Sequence, residues 1–313
     1  SMIKPPALKQ NATIGIVSPS SWMDESDLKM ALSVFERKGY HILLGESVFS
    51  KDNTYAGTAE IRANDINGMF ANPNVDAIIC ARGGYGANRV LPLLDYNLIK
   101  ANPKIFMGYS DITAFLTSIT QRTGLVTFHG PMLTSFAKGL VDYNFIFMEA
   151  TLSGTSPISI QSPPDLPARS LKPGKAQGHL VGGNMCLLVN RLGTKDQINT
   201  DGAILFLEDI GEYLYAFDRM MVHAKEAGMF NKIKGLIIGE LVDMKDQGTP
   251  FGKSTDEIIM DVCNNWDIPI ISNFPCGHGK YQATLPMPIS VELDAEMDSP
   301  TLTLLESAVE EGD

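Results

Sequence analysis

Three kinds of residue at well-separated points of this sequence have the chemistry to break an acyl bond: a serine at a sharp turn, a histidine between glycines, and an acid ending a buried strand. Ser110 lies in Lys104-Ile105-Phe106-Met107-Gly108-Tyr109-Ser110-Asp111-Ile112-Thr113. The apolar run predicts a strand that ends at Gly108, and an amphipathic helix begins just after Ser110. A serine there projects from the carboxyl end of a sheet, where open α/β sheets bind ligands. The helix N-terminus behind it offers unpaired N–H groups to a developing oxyanion. Strand, serine and helix follow the order of a G-x-S-x-G turn, except that Ile112 stands where that pattern has its last glycine. On this segment alone, a helix cap by Ser110 or Asp111 is the commoner reading.

A serine hydroxyl needs a base, and the base needs a group to orient it. His278 stands in Pro275-Cys276-Gly277-His278-Gly279. Its two glycines predict little local cover for the imidazole and close approach of another backbone. The alternative is an ordinary surface-loop histidine. Leu205-Phe206-Leu207-Glu208-Asp209-Ile210-Gly211-Glu212 ends a buried strand with three acids. Glu208 comes directly at the strand's end. Asp209 and Glu212 compete with it, and either could simply open the next helix, where acids suit the dipole. Other motifs fail on spacing. Gly248 to Ser254 has three residues between its glycines where a phosphate-wrapping loop needs four. Gly84-Tyr85-Gly86 begins like a dinucleotide fingerprint, but Arg89 holds the third glycine position. The five histidines are scattered singly, so no metal and no cofactor is expected.

These residues need a scaffold, and the first half supplies one by alternation. Strands are predicted at Thr13–Val17, Ile42–Leu44, Asp76–Cys80 and Ile105–Met107. Helices follow them around Leu28–Phe35, Ile61–Phe70, Val90–Leu94 and Ile112–Ile119. That rhythm implies a doubly wound, mainly parallel sheet with helices on both faces. Between 155 and 174 the pattern fails among Pro157, Pro163, Pro164, Pro167 and Pro173, which reads as a linker. Beyond it, helices near Met185–Leu192 and Met220–Ala227 mix with strands at Ala203–Leu207, Leu236–Ile238, Ile268–Ile271, Ile289–Leu293 and Thr301–Leu304. The expected division is therefore 1–154, an α/β nucleophile domain; 155–174, linker; and 175–313, a smaller mixed α/β domain.

At 313 residues the chain is long enough for two cores, and its 44% hydrophobic and 19% charged content excludes a disordered chain. A formal net charge of −11 argues against nucleic acid and against anionic membrane as general partners. No apolar run approaches the roughly 18 residues of a membrane span. Residues 1–6 lack the apolar core of a secretory signal. Cys80, Cys186, Cys263 and Cys276 show no paired spacing, so they are read as reduced and mostly buried, in a cytoplasmic protein.

Taken in order, Ala81-Arg82-Gly83-Gly84-Tyr85-Gly86, Gly108-Tyr109-Ser110-Asp111, Gly182-Gly183-Asn184, Leu207 to Glu212, Asp218-Arg219-Met220 and Gly277-His278 resemble the LD-carboxypeptidase family. That family comprises murein tetrapeptide carboxypeptidases and microcin C immunity peptidases. The resemblance implies a class I glutaminase-like nucleophile domain followed by a domain carrying glutamate and histidine. It further implies a serine peptidase with Ser110 as nucleophile, His278 as base and Glu208 as the orienting acid. The oxyanion donors it implies are the N–H groups of Gly83 and Asp111. Arg82 becomes the cation that meets a substrate carboxylate, or else half of a structural ion pair. The implied substrate is a small murein peptide cut before its terminal D-Ala, with a homodimer as the assembly. The nearest rival cleaves amides that join amino acids or peptides to nucleotides, using an aromatic residue in a long loop to stack the base. Glu240 to Lys253 holds no tryptophan, which favours the murein reading. A non-catalytic two-domain peptide-binding protein is the rival of another class.

Overall fold

A computed structural model describes residues 2–296 and 298–311. They fall into two compact units. The first comprises Ser1–Thr155, Thr284–Pro288 and Ser307–Asp313, and the second Ser156–Ala283 and Ile289–Glu306.

In the first unit strand and helix alternate: β1 (Thr13–Val17), α1 (Glu25–Arg37), β2 (His41–Leu44), α2 (Ala59–Ala71), β3 (Ala77–Cys80), α3 (Ala87–Val90), α4 (Tyr96–Ala101), β4 (Ile105–Gly108), α5 (Thr113–Thr123), β5 (Thr127–His129) and α6 (Asp142–Ser153). The five strands pair in parallel in the order β5-β4-β3-β1-β2. Every residue of β3 and β4 is buried, as expected where helices cover both faces of a sheet. Helix α1 turns Leu28, Ala31, Val34 and Phe35 inward at helical spacing, and Phe35 meets Phe136 edge-on at 5.2 Å. From β1 the chain moves to β2 on one side and later to β3 on the other. The loops after β1 and β3 therefore part at the carboxyl edge of the sheet, where this topology opens a crevice.

The second unit contains β6 (Ile158–Gln161), β7 (Arg169–Lys172), β8 (Lys175–Asn184), α7 (Met185–Asn190), β9 (Ala203–Glu208), α8 (Leu214–Glu226), β10 (Gly235–Gly239), α9 (Thr255–Cys263) and β11 (Ile270–Phe274). The short β12 (Leu285–Met287) belongs to the first unit, pairing antiparallel with β5. β13 (Ser290–Asp294) and β14 (Thr301–Leu304) complete the second. Eight strands run in the order β6-β14-β13-β8-β9-β10-β11-β7. The central β8 to β11 are parallel and the flanking pairs antiparallel. Leu205, Leu207, Phe217, Met221, Phe230 and Ile258 share one core that locks α8 and α9 onto the sheet. A capping box of Ser254 and Glu257 starts α9, satisfying two of its unpaired N–H groups.

Two expectations are corrected here. Residues 155–174 are not a bare linker, because they carry β6 and β7, the two edge strands of the second sheet. The five prolines fall outside both strands: Pro157 and Pro173 flank the pair, and Pro163, Pro164 and Pro167 lie between them. Nor does 175–313 form one contiguous domain, since 284–288 and 307–313 return to the first unit. Among the described residues no cysteine forms a disulfide; Cys80, Cys263 and Cys276 are buried, but Cys186 is exposed.

Candidate functional site

At the carboxyl end of β4 the chain makes one 3₁₀ turn, Ser110–Ile112, before α5. Ser110 adopts φ 63°, a left-handed conformation that costs an L-residue about 1–3 kcal/mol and collects at functional sites. Ile112 can replace the pattern's last glycine because Gly108 supplies the room. A β-carbon at Gly108 would lie 2.7 Å from Ile112 Cγ2. The glycine turn after β3 backs directly onto the serine. A β-carbon on Gly83 would sit 3.0 Å from Ser110 Cβ, 3.2 Å from its Oγ and 3.4 Å from the Asp111 nitrogen. The Gly83 carbonyl is occupied by the Ser21 N–H at 3.0 Å, which fixes that turn to the loop after β1.

Asp111 is 3% exposed, and its side chain does not cap the helix of its own turn. Its Oδ2 accepts from Ser20 Oγ at 2.6 Å and from the Ala87 N–H at 2.9 Å. Burial pushes its pKa up, while these two donors and the Arg62 charge pull it back part of the way. Arg62, on α2, is 2% exposed. Its Nη1 donates to the carbonyls of Pro19 at 3.0 Å and Gly86 at 2.9 Å, and its Nε to that of Gly57 at 3.1 Å. Arg82 is exposed, and its Nη1 donates to the Trp22 carbonyl at 2.7 Å rather than to a carboxylate.

The second unit separates the three acids. Glu208 is 0% exposed at the end of β9, in register with Asn184 at the end of β8. Its Oε2 lies 2.7 Å from His278 Nδ1, and its Oε1 accepts from Asn184 Nδ2 at 3.2 Å. Asp209 accepts from the N–H groups of Cys186 at 3.1 Å and Ile210 at 2.8 Å, and its Oδ1 lies 3.5 Å from the same Asn184 Nδ2. Burial, and next the charge of Glu208, push the Asp209 carboxyl up to about 7. The Glu212 carbonyl accepts from the Lys245 N–H at 2.9 Å. Of the three, Glu208 is the one that holds the imidazole. Burial alone would lower the pKa of His278. The hydrogen bond and charge of Glu208, with the charge of Asp209, outweigh it and raise the pKa above the ordinary histidine value.

The expectation that the imidazole has little local cover is corrected, because the His278 side chain is only 13% exposed. The flanking glycines serve close packing instead. A β-carbon on Gly277 would collide with the Glu240 carbonyl, and one on Gly279 with Glu240 Oε2. Glu240 Oε2 is buried without a hydrogen-bond partner among the described residues, and burial raises its pKa. Of the expected site residues, Gly83, Ser110 and Asp111 come together in the first unit, and Glu208 and His278 in the second. Arg62, the Asp111 side chain and Glu240 were not anticipated. A single arginine in an amphipathic helix reads as solvent-facing, and only the tertiary structure reveals its partners. Asn184 carried a signal as the end of a Gly-Gly-Asn string. Among the described residues no cluster of three or more metal-ligating side chains exists, and no helix is long and apolar enough to cross a membrane.

The chain belongs to the LD-carboxypeptidase family. The family's N-terminal domain matches residues 14–130 and its C-terminal domain residues 177–293. It is thus a hydrolase of the carboxypeptidase class. Over 318 aligned residues it is 36% identical to the probable murein peptide carboxypeptidase of Bacillus subtilis (strain 168), covering 99% of this chain and 96% of that one. Among solved structures it is similar to the muramoyltetrapeptide carboxypeptidase of Oxalobacter formigenes, with TM-score 0.84 and 28% identity over 96% of this chain and 100% of that one. It is also similar to the microcin C7 self-immunity protein MccF in complex with glutamyl sulfamoyl guanosine, with TM-score 0.92 and 25% identity over 98% of this chain and 99% of that one.

Proposed function

We propose that this protein is a serine LD-carboxypeptidase. It hydrolyses the amide between an L-centre diamino acid and the terminal D-Ala of a murein tetrapeptide. The observation that carries this reading is the imidazole of His278 fixed through Nδ1 by the buried Glu208. An ionised carboxylate only accepts, so Nδ1 bears the proton and Nε2 is the basic nitrogen. In the reaction His278 Nε2 takes the proton of Ser110 as Oγ attacks the scissile carbonyl. Glu208 stabilises the imidazolium that forms. The N–H groups of Gly83 and Asp111 receive the oxyanion, and losing one such donor costs about a hundred- to thousandfold in rate. His278 then protonates the departing D-Ala amine, and water attacks the acyl-enzyme with His278 again as base. Arg82, exposed beside the glycine turn, is the cation offered to the terminal carboxylate. The family also implies a homodimer acting on recycled peptides in the cytoplasm.

A second reading has its own support in the likeness to the self-immunity protein, whose structure holds an aminoacyl sulfamoyl nucleoside. Both substrates are amides, and the same triad would serve either. They differ in the leaving group and in what must stack a base. The segment Glu240 to Lys253, free of tryptophan, favours the peptide. The test incubates the protein with a murein tetrapeptide and, separately, with an aminoacyl sulfamoyl adenosine, reading products by mass. Release of D-Ala with loss of its mass from the tetrapeptide is expected. Cleavage of the nucleoside alone would transfer the function to the second reading. Turnover by Ser110→Ala equal to wild type would remove the serine mechanism altogether, and no turnover of either substrate by the wild type would leave the non-catalytic binding protein.

A further inference from the structure

We infer that Asp111 and Arg62 are positioning residues for catalysis, forming a buried cross-tie that holds the glycine turn and the serine turn in register. The inference rests on the serine reading above, since it concerns where the two oxyanion donors sit. Three loops leave the carboxyl edge of neighbouring strands β1, β3 and β4. Asp111 spans all three: it belongs to the turn after β4, and its Oδ2 takes one donor from Ser20 after β1 and one from Ala87 after β3. Arg62 makes the complementary tie, its Nη1 reaching Pro19 after β1 and Gly86 after β3. The two side chains therefore bind the same pair of loops from opposite signs, one through acceptors and one through donors.

The placement bears directly on the chemistry. Asp111 is the residue after Ser110, so any shift of its carboxylate shifts its own N–H and the backbone of the nucleophile. Gly83 lies in the same turn, just before the tied residues Gly86 and Ala87, and a β-carbon on it would sit 3.0 Å from Ser110 Cβ. A carboxylate suits the task because one oxygen accepts two donors from different loops. Buried charges of this kind contribute little net stability, because desolvation offsets their attraction. Their use here is to fix geometry, where an error of about 1 Å costs on the order of a hundredfold in rate.

The test compares Asp111→Ala, Asp111→Asn and Ser20→Ala with wild type and Ser110→Ala. It reads kcat and KM on the tetrapeptide, with active sites counted by a fluorophosphonate that labels the serine. Asp111→Ala should lose about a hundredfold in kcat per labelled site with KM within about twofold. Asp111→Asn, which keeps an oxygen for the two donors, should lie between it and wild type. Ser20→Ala removes one tie and should lose about tenfold in kcat at an unchanged melting temperature. A structural role alone would lower the labelled fraction or the melting temperature and leave kcat per labelled site intact, and that result overturns the inference. If Asp111→Ala does not fold, Ser20→Ala decides: kcat within twofold of wild type is the overturning result. An active Ser110→Ala would instead bring down the serine reading.

Discussion

Replacing Glu208 by glutamine changes one oxygen to nitrogen at a residue with no exposed surface, and its consequence follows from the two bonds that carboxylate makes. Asn184 Nδ2 donates to one oxygen and His278 Nδ1 faces the other. The glutamine oxygen must stay with Asn184, a donor, so the new NH₂ group faces His278. Nδ1 then has to accept, which moves the ring proton to Nε2, the nitrogen meant to receive the serine proton. The imidazolium also loses its counter-charge. A wrong tautomer of this kind costs about 10⁴ in kcat in the serine-protease triad, or about 5.4 kcal/mol at 1.36 kcal/mol per tenfold. We expect about 10³–10⁴ here, with KM little changed. A second signature separates this from damage to the fold. The pKa of His278 is raised because Glu208 and Asp209 outweigh burial. With His278 as the proposed base, which works unprotonated, the acid limb of kcat/KM should lie above the ordinary histidine value of about 6.5 in the wild type. In Glu208→Gln it should move to lower pH. The assay is D-Ala release across pH 4–9 with active sites titrated. Activity within tenfold of wild type, or an unmoved acid limb, would refute the role assigned to Glu208.

Asp209 gives a stability prediction of opposite pH sense to that of a salt-bridged carboxylate. Its pKa is raised by folding to about 7, so native stability declines as pH rises from the ordinary aspartate value of about 3.9 through that point, by on the order of 1–4 kcal/mol. Asp209→Asn should therefore flatten the fall in melting temperature between pH 5 and 8, and parallel curves for the two proteins would count against the shift. Gly83→Ala places a methyl 3.0 Å from Ser110 Cβ and should cut kcat by about ten- to a hundredfold while the fold survives; unchanged kcat would mean the turn is looser than described. Gly279→Ala drives a β-carbon into Glu240 Oε2 and should cost about 1–3 kcal/mol in denaturant unfolding together with most activity. Adding Glu240→Ala should recover part of that stability, and additive losses in the double variant would sink the explanation.

The strand-turn-helix around Ser110 was legible because its signals are local: a buried strand, a glycine, a serine and a helical face within ten residues. The choice among Glu208, Asp209 and Glu212 was not, since the two neighbouring acids at the strand's end both reach the Asn184 amide and nothing local distinguishes them. Only the imidazole, 70 positions away, separates them. Reading the Pro-rich stretch as linker failed because two four-residue edge strands are too short to show a period, and the prolines before, between and after them dominate the segment. Arg62 was hidden for a related reason. Its four backbone acceptors, the carbonyls of Pro19, Gly57, Thr58 and Gly86, come from three loops, and nothing in α2 records them. Helix α6 escaped notice as well. Tyr143, Ile146 and Phe147 spread apolar character around it, so no stripe stands out in the sequence.

The return of 284–288 and 307–313 to the first unit bears on biosynthesis. At the moment a ribosome has released only the opening 155 residues, β5 has no neighbour on its outer side, because β12 has not been made. An unfinished sheet with an open rim invites pairing with other nascent chains. Completion must await synthesis of the whole intervening second unit, so truncating the polypeptide at the apparent boundary would yield a fragment missing a strand rather than a self-sufficient module.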